Sequence, residues 1–176
     1  MIIAILMIIA AALSRLVLYP NNFSPIIGMA LFGGAVIKDK RLAFAMPLLA
    51  MFLSDVLFEV FKVAPGFWGW GQVVHYFIYA GITCFGFLLR RITVLNVAMF
   101  SVSASLLFYF LSNSAVFFFD NPVYHLYAPT FKGYIDCLAA GLPFLKTAII
   151  ADLVYSTILF GGYYLMEKGV FNKATA

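Results

Sequence analysis

Apolar residues fill six long runs of the chain, and short polar segments separate these runs. The runs cover about residues 2–19, 24–37, 42–61, 73–89, 92–112 and 143–166. A helix needs about 20 mainly apolar residues to cross a bilayer, and most of the runs approach that length. We therefore expect an all-α membrane protein with a single six-helix transmembrane domain over residues 1–176. A short interfacial helix is expected near residues 131–140, in the long polar connection before the last span.

Composition supports the membrane interpretation. The chain is 65% hydrophobic and 10% charged, whereas soluble domains carry about 25% charged residues. The sequence contains no phosphate-binding loop and no dinucleotide fingerprint, so uphill transport would need an ion gradient or a partner protein. The net charge of +4 resides in loops and does not indicate nucleic-acid binding.

Positive charges in the connections predict the orientation of the spans. Seven Lys and Arg residues fall on the side of the termini, and three fall on the other side. The seven are Lys38, Lys40, Arg41, Arg90, Arg91, Lys168 and Lys173, and the three are Lys62, Lys132 and Lys146. This asymmetry places both termini in the cytoplasm. The N-terminal run also resembles a signal peptide, but no Lys or Arg precedes it, which favours a retained first helix.

Ionisable residues of the spans concentrate in the half that this orientation places outside. Asp55 and Glu59 end the third span four residues apart, so they share a helix face. An unpaired charge at such a depth costs about 2.5–3.5 kcal/mol. We therefore predict that Arg15, in the first span, forms an ion pair with Asp55 or with Asp152. The pair is either structural or opens to hold a charged group of a ligand.

The same polar residues predict a water-accessible pocket that binds a small solute from outside. Arg15, Asp55 and Glu59 form its expected floor. The expected lid, walls and remaining contacts are Asn21, Asn22, Trp68, Trp70, His75, Asn113 and Asp152. Aromatic walls favour a ring-bearing solute, such as a vitamin or a vitamin precursor, over an ion. Tryptophans at span boundaries are also typical of an interfacial belt, which is the competing interpretation of the two Trp residues.

The expected function is a membrane transporter, or a solute-binding component of one, and not an enzyme. The sequence has no HExxH motif, no CxxC pair and no metal-spaced histidine cluster, so neither a metal site nor a resident cofactor is expected. A corrinoid stays among the candidate solutes. Two alternatives remain open. One is a membrane enzyme that uses Asp55, Glu59, His75 and Asp152, and the other is a structural subunit.

Two segments of the chain resemble a known family. Arg15, together with the following PNNFSPIIGMALFGGA and MPLLAMFLSD, is similar to the opening of a family of small bacterial proteins. That family is assigned to transport but is otherwise of unknown function. Residues 127–144, which contain Gly133, Cys137 and Leu142-Pro143-Phe144, are similar to its later signature. The family in turn resembles the S components of energy-coupling-factor (ECF) vitamin transporters.

This resemblance implies a bacterial inner-membrane protein with six helices, cytoplasmic termini and an outer pocket. The loop Asn21–Ser24 would cap the pocket, and an energising module would be the partner. S components often dock on that module through an Ala-xxx-Ala pair in the first helix, but here only Ala10 and Ser14 have small residues at that spacing. Operation without a module therefore stays open. The N-terminal His of the metal-ion members is also absent, which argues against nickel or cobalt as cargo.

Overall fold

The computed structural model describes residues 1–16, 23–67 and 69–167, which form six helices joined by short connections. The helices are α1 (Ile2–Ser14), α2 (Ile26–Val36), α3 (Lys40–Phe61), α4 (Trp70–Gly86), α5 (Val94–Tyr124) and α6 (Phe131–Glu167). Three of them, α3, α5 and α6, are long and apolar enough to cross a membrane by length and composition. The helices α1 and α2 are apolar but shorter, and α4 has 17 residues. The all-helical prediction is confirmed.

The second half of the chain differs from the prediction in where its helices end. The fifth span was expected to end at residue 112, and a separate interfacial helix was expected near residues 131–140. Instead, α5 continues through a π-helical turn, Val116–Asp120, to Tyr124. Helix α6 runs from Phe131 through Pro143 as one element, with a π-helical turn at Thr157–Gly161. Proline removes one backbone hydrogen bond, and packing by neighbouring helices compensates for that loss in membrane proteins.

Polar side chains mark the beginnings of the three long helices. Asp39, Thr93 and Thr130 stand immediately before α3, α5 and α6. The side-chain oxygen of each residue accepts a hydrogen bond from a backbone N–H in the first turn of its helix. Such caps satisfy amide groups that have no partner within the helix. The starts of these helices are therefore encoded locally, by a capping residue followed by an apolar run.

Helix α2 lies at the centre of the bundle and touches each of the other five helices. All nine residues from Ile26 to Gly34 are buried. The closest approach is the crossing of α2 and α4, where a Cβ on Gly34 would overlap the carbonyl oxygen of Thr83. Reciprocally, a Cβ on Gly86 would lie 2.6 Å from the carbonyl oxygen of Leu31. Small residues at a helix crossing permit such close packing.

The contacts between helices define two ends of the bundle. At one end, α1, α3 and α5 finish while α2, α4 and α6 begin. The ion pair between Arg15 and Asp55 lies there, and so does a cavity that Ser24, Asn113 and Gly141 line together. We refer to it as the cavity end. The opposite end holds the connections between α2 and α3 and between α4 and α5.

Candidate functional site

Arg15 and Asp55 form an ion pair at the cavity end, between α1 and α3. The Arg15 Nη1 and the Asp55 Oδ1 are 2.8 Å apart, and the two side chains are only 11% and 7% exposed. The same nitrogen donates to the hydroxyl of Ser54 and to the carbonyl of Met51 at 3.3 Å. The guanidinium also lies 4.9 Å from the centre of the Phe58 ring. Of the two pairings that the sequence left open, the structure contains the one with Asp55.

Helix α4 completes the surroundings of the Asp55 carboxylate. Its second oxygen, Oδ2, accepts hydrogen bonds from Gln72 Nε2 at 2.9 Å and from the Tyr76 hydroxyl at 3.0 Å. Gln72 Nε2 also donates to the carbonyl of Gly66 at 3.0 Å, which ties the α3–α4 connection to the same group. A buried ion pair with this many partners holds helices together. We call this group the Arg15 cluster, and its members are Arg15, Ser54, Asp55, Gln72 and Tyr76.

Other residues of the predicted floor and lid lie away from the cavity. Glu59 is exposed, and its Oε2 accepts a hydrogen bond from the backbone N–H of Gly66 at 3.1 Å. It therefore closes the α3–α4 connection. Trp70 is 69% exposed at the start of α4 and does not line the cavity. Three further predicted residues, Asn21, Asn22 and Trp68, lie outside the described residues.

A cavity of about 220 Å³ lies between α2, α4, α5 and α6 at the cavity end. Three predicted site residues, His75, Asn113 and Asp152, line it. No member of the Arg15 cluster does. The structure thus divides the predicted site into two groups, a paired cluster between α1, α3 and α4 and a cavity between α2, α4, α5 and α6.

Aromatic rings from α4 and α5 form one wall of the cavity. Tyr79 and Phe108 are stacked, with ring centroids 5.4 Å apart and an interplanar angle of 5°. The His75 ring lies 5.6 Å from the Phe108 ring. Its Nδ1 is 2.8 Å from the Gly71 carbonyl oxygen, which can only accept, so Nδ1 carries a hydrogen. The described part of the cavity wall is aromatic, but its rings come from helix residues and not from the predicted Trp70.

Asp152 forms the floor of the cavity at mid-length of α6. Its side chain is 1% exposed, and its Oδ2 lies 2.5 Å from the Ser105 hydroxyl of α5. Among the described residues, Asp152 Oδ1 has no hydrogen-bond partner, and neither does the Ser24 hydroxyl at the start of α2. Both residues line the cavity. Two buried polar atoms without partners at one cavity indicate that a ligand or water completes their hydrogen bonding.

A buried row of serines continues from Asp152 along the contact between α5 and α6. The Ser105 hydroxyl lies 3.1 Å from the carbonyl oxygen of Ser101. The Ser156 hydroxyl is 3.2 Å from the Ser101 hydroxyl. All of these side chains are at most 1% exposed. Polar groups therefore face each other across the two helices, and the cavity opens at one end of the row.

Sequence reasoning missed several residues that line the cavity, namely Tyr79, Ser105 and Phe108, whereas Ser24 belongs to the loop that the resemblance places over the pocket. A signal for Ser105 was present, because Ser101 and Ser105 are four residues apart, as are Asp152 and Ser156. Residues at that spacing share a helix face. Two polar stripes on otherwise apolar helices indicate helices that face each other. Tyr79 and Phe108 carry no comparable signal in a chain with 10 Tyr and 20 Phe residues.

Two further features bear on the chemistry of the site. The ranges 1–16, 23–67 and 69–167 contain no group of three or more His, Cys, Asp or Glu side chains that could hold a metal ion. Both cysteines are free, Cys84 exposed and Cys137 buried. The arrangement at the cavity can accept hydrogen bonds, stack against rings and exchange a proton at one carboxyl group.

Comparison with known proteins gives one match. The sequence model of DUF6580, described as a family of unknown function, matches residues 1–174. No curated protein and no solved structure matches the chain. These comparisons supply no link to the S components of ECF transporters, so that resemblance stays a prediction.

Proposed function

We propose that this chain, which belongs to the family of unknown function DUF6580, binds a small solute within the membrane and carries it across. The observation that supports this most directly is the cavity of about 220 Å³ with a buried carboxylate oxygen at its floor that lacks a partner. Small-molecule sites are concave and mainly apolar, with a few placed polar groups. The stacked Tyr79 and Phe108 rings and the Asp152 carboxyl group fit that description.

The proposal includes six spans, cytoplasmic termini and a cavity end that faces outside, in the inner membrane of a bacterium. Lys38, Lys40, Arg41, Arg90 and Arg91 all lie in or next to the connections at the end opposite the cavity, as the positive-inside rule requires of a cytoplasmic end. Helix α2 is short for a span, with 11 residues. Because protein surrounds it on every side, α2 does not need to match the thickness of the hydrocarbon region.

The volume of the cavity favours the smaller of the candidate solutes, which range from vitamin precursors to corrinoids. A water molecule occupies about 30 Å³ of liquid volume, and ligand pockets usually measure about 300–1,000 Å³. A cavity of about 220 Å³ therefore suits a single-ring molecule such as a vitamin precursor. A corrinoid macrocycle exceeds it. The aromatic wall supports the choice of a ring-bearing solute, which can stack against Tyr79 and Phe108.

A carrier is favoured over an enzyme because the acidic groups are divided. An outer-half catalytic site would bring Asp55 or Glu59 together with His75 and Asp152. Asp55 instead belongs to the Arg15 cluster, and Glu59 binds the Gly66 amide. Only His75 and Asp152 of that set line the cavity. A binding role needs no more than shape, stacking and one or two polar anchors, all of which the cavity supplies.

Binding to the detergent-purified full chain tests the proposal. The probes are nicotinamide, pyridoxine, thiamine, biotin and cobalamin, measured first by thermal shift and then by calorimetry. A ligand at 100 times its dissociation constant adds about 2.7 kcal/mol of apparent stability. Ala148→Phe fills the cavity from α6, and Ala140→Phe adds the same ring at an exposed position of the same helix.

The two variants separate cavity binding from general effects. We expect the wild type and Ala140→Phe to bind the same solute, and we expect Ala148→Phe to lose it. Binding that survives in Ala148→Phe would place the solute elsewhere. A well-folded protein that binds none of the probes would overturn the proposal and favour a structural subunit.

A further inference from the structure

Asp152 is an isolated acid in an apolar setting. Among the described residues that line the cavity it is the only Asp or Glu, and no Lys or Arg is among them. Its side chain is 1% exposed, and one of its oxygens has no partner within the described chain. A charged carboxylate without a counter-ion in the middle of a membrane helix is costly. Asp152 therefore needs either a proton or a cation from outside the protein.

The hydrogen bonds of Ser105 favour a proton over a cation on Asp152. A serine hydroxyl has a single hydrogen, and the Ser105 oxygen has two oxygen neighbours. These are the Ser101 carbonyl at 3.1 Å and the Asp152 Oδ2 at 2.5 Å. The bond to the carbonyl four residues earlier is common for serine in helices. With the Ser105 hydrogen on that carbonyl, a hydrogen on Asp152 Oδ2 fills the shorter contact, so a protonated Asp152 is consistent with both distances.

The groups around Asp152 provide no internal cation to replace that proton. The titratable groups that line the cavity with it from the neighbouring helices are His75, Tyr79 and Tyr109. On its own helix, Lys146 is exposed and does not line the cavity. Arg15 of α1 is already bonded to Asp55. Helix α2 and the residue before its cap contribute two isoleucines and Ser24, none of which is charged. The backbone N–H of Gly28, in the first turn of α2, also interacts with the Asp152 carboxyl group but carries no full charge.

The aromatic wall indicates what enters in place of the proton. An ammonium or other organic cation is attracted to the face of an aromatic ring, and the attraction strengthens where water is excluded. Tyr79 and Phe108 offer such faces in the same cavity as the Asp152 carboxyl group. A cation bound there would meet a carboxylate and two rings at once, whereas an anion would meet only groups of negative or neutral character.

We propose that Asp152 carries a proton while the cavity is empty and releases it when a small organic cation, such as a primary amine, binds. The O–H bond of the carboxyl group breaks, the proton passes to water, and the ammonium group takes its place against the carboxylate. The charge inside the cavity is the same before and after. One proton leaves for each cation bound, so a proton gradient drives the solute in the opposite direction. This inference rests on the proposed function and names its substrate class.

Matched amine and alcohol probes test the inference on the wild-type chain in detergent. The pairs are benzylamine with benzyl alcohol, and phenethylamine with 2-phenylethanol, because each pair differs mainly in charge. Calorimetry in two buffers of different ionisation enthalpy counts the protons exchanged. We expect amine binding to release one proton and the alcohols to bind at least tenfold more weakly. Where Asp152 is protonated in the free protein, amine affinity should fall about tenfold for each unit decrease in pH.

A pair of isosteric variants locates the exchanged proton. Asp152→Asn keeps the shape of a protonated carboxyl group and can still donate to Ser105. It should fold, release no proton and lose at least tenfold in amine affinity. Asp136→Asn makes the same change at an exposed position of α6 and should behave as wild type. The pH series on the wild type decides the matter even if the Asp152 variant does not fold.

The outcomes separate this inference from the proposed function. Amines that bind without releasing a proton, or with no preference over the alcohols, would overturn the inference. So would an affinity that is independent of pH. If neutral or anionic solutes bind in a manner that Ala148→Phe abolishes while amines do not bind, only the cation inference fails. If no probe of any charge binds, the proposed function fails with it.

Discussion

The Arg15 guanidinium and the Asp55 carboxylate neutralise each other at 2.8 Å, within a cluster that shares no lining residue with the cavity. The two arrangements of charge in this protein are therefore distinct. The pair between α1 and α3 is closed at its carboxylate, because both Asp55 oxygens are bonded, while the Arg15 Nε has no partner within the described chain. The acid of α6 is open, with one oxygen facing the cavity. The first arrangement stabilises the bundle, and the second is available to a ligand.

Breaking the pair should destabilise the protein without abolishing binding. Arg15→Met and Asp55→Asn each leave a buried group without its partner, which costs about 3–5 kcal/mol for a buried ion pair. The double variant should lose less stability than the sum of the two single losses, because neither charge is left without its partner. Unfolding by SDS in mixed micelles measures all three. Asp55→Asn that lost solute binding at wild-type stability would show that the Arg15 cluster belongs to the binding site.

The crossing of α2 and α4 should not tolerate a methyl group. Gly86→Ala places a Cβ 2.6 Å from the Leu31 carbonyl oxygen, so the helices must separate. Such overpacking costs about 1–3 kcal/mol. Gly81→Ala provides the control on the same helix, since nothing lies within 4 Å of its Cβ position. That variant should be neutral or stabilised by up to about 1 kcal/mol, because Ala has the higher helix propensity. Equal effects of the two changes in SDS unfolding would contradict the packing shown here.

A methyl group at Gly141 should change the cavity more than the fold. Its Cβ would lie 2.6 Å from the Asn113 Oδ1, so the Asn113 side chain must move from its place in the cavity wall. Affinity for the solute identified by the binding probes should fall about tenfold, or about 1.4 kcal/mol. Gly161→Ala, where nothing lies within 4 Å, should leave affinity unchanged. Calorimetry on both variants checks this, and an unaltered affinity in Gly141→Ala would remove Asn113 from the contact set.

The α5–α6 connection should depend on one buried amide. The Asn121 side chain accepts from the Tyr127 N–H at 2.7 Å and donates to the Tyr127 carbonyl at 3.0 Å. Asn121→Ala removes both bonds and should destabilise the protein by about 1–3 kcal/mol. Asn121→Asp retains the acceptor and should lose less. Protease sensitivity of the connection and SDS unfolding report on the change. An equal loss of stability in both variants would indicate that the hydrogen bond from the Asn121 amide to the Tyr127 carbonyl dominates.

The Arg15–Asp55 pair was predictable because few arrangements satisfy a charged residue in an apolar span. The chain has few acids near the depth of Arg15. The free-energy cost of leaving this charge unpaired therefore restricted its partner to Asp55 or Asp152. To choose between the two acids, one must know how each helix is rotated about its own axis. The packing of α2 between the other helices sets that rotation, and the hydrophobic pattern does not encode it. Helices that are apolar on nearly every side show little difference between their faces.

The cavity wall was less predictable for a related reason. Trp70 was predicted to line the pocket as an aromatic residue of a loop at a span boundary, yet it is exposed. Tyr79 and Phe108 were indistinguishable from many other aromatic residues until the helices were packed. The predicted start of the last helix at Pro143 was wrong, because proline normally breaks a helix in water and therefore predicts a boundary there. Inside a bundle, neighbouring helices compensate for the missing hydrogen bond, and α6 continues.

The central position of α2 has a consequence for how the protein is made. Although α2 leaves the ribosome second, its packing partners include residues near the end of the last helix. The Cβ position of Gly28 lies 3.3 Å from the Tyr155 Cβ, and the Phe32 ring meets the Phe160 ring edge to face at 5.1 Å. In the proposed six-span arrangement, α2 therefore reaches its final environment only after the sixth span has been translated. We expect a chain truncated before residue 155 to expose Gly28 and the face of α2 that packs against α6, and to be degraded faster than the full chain.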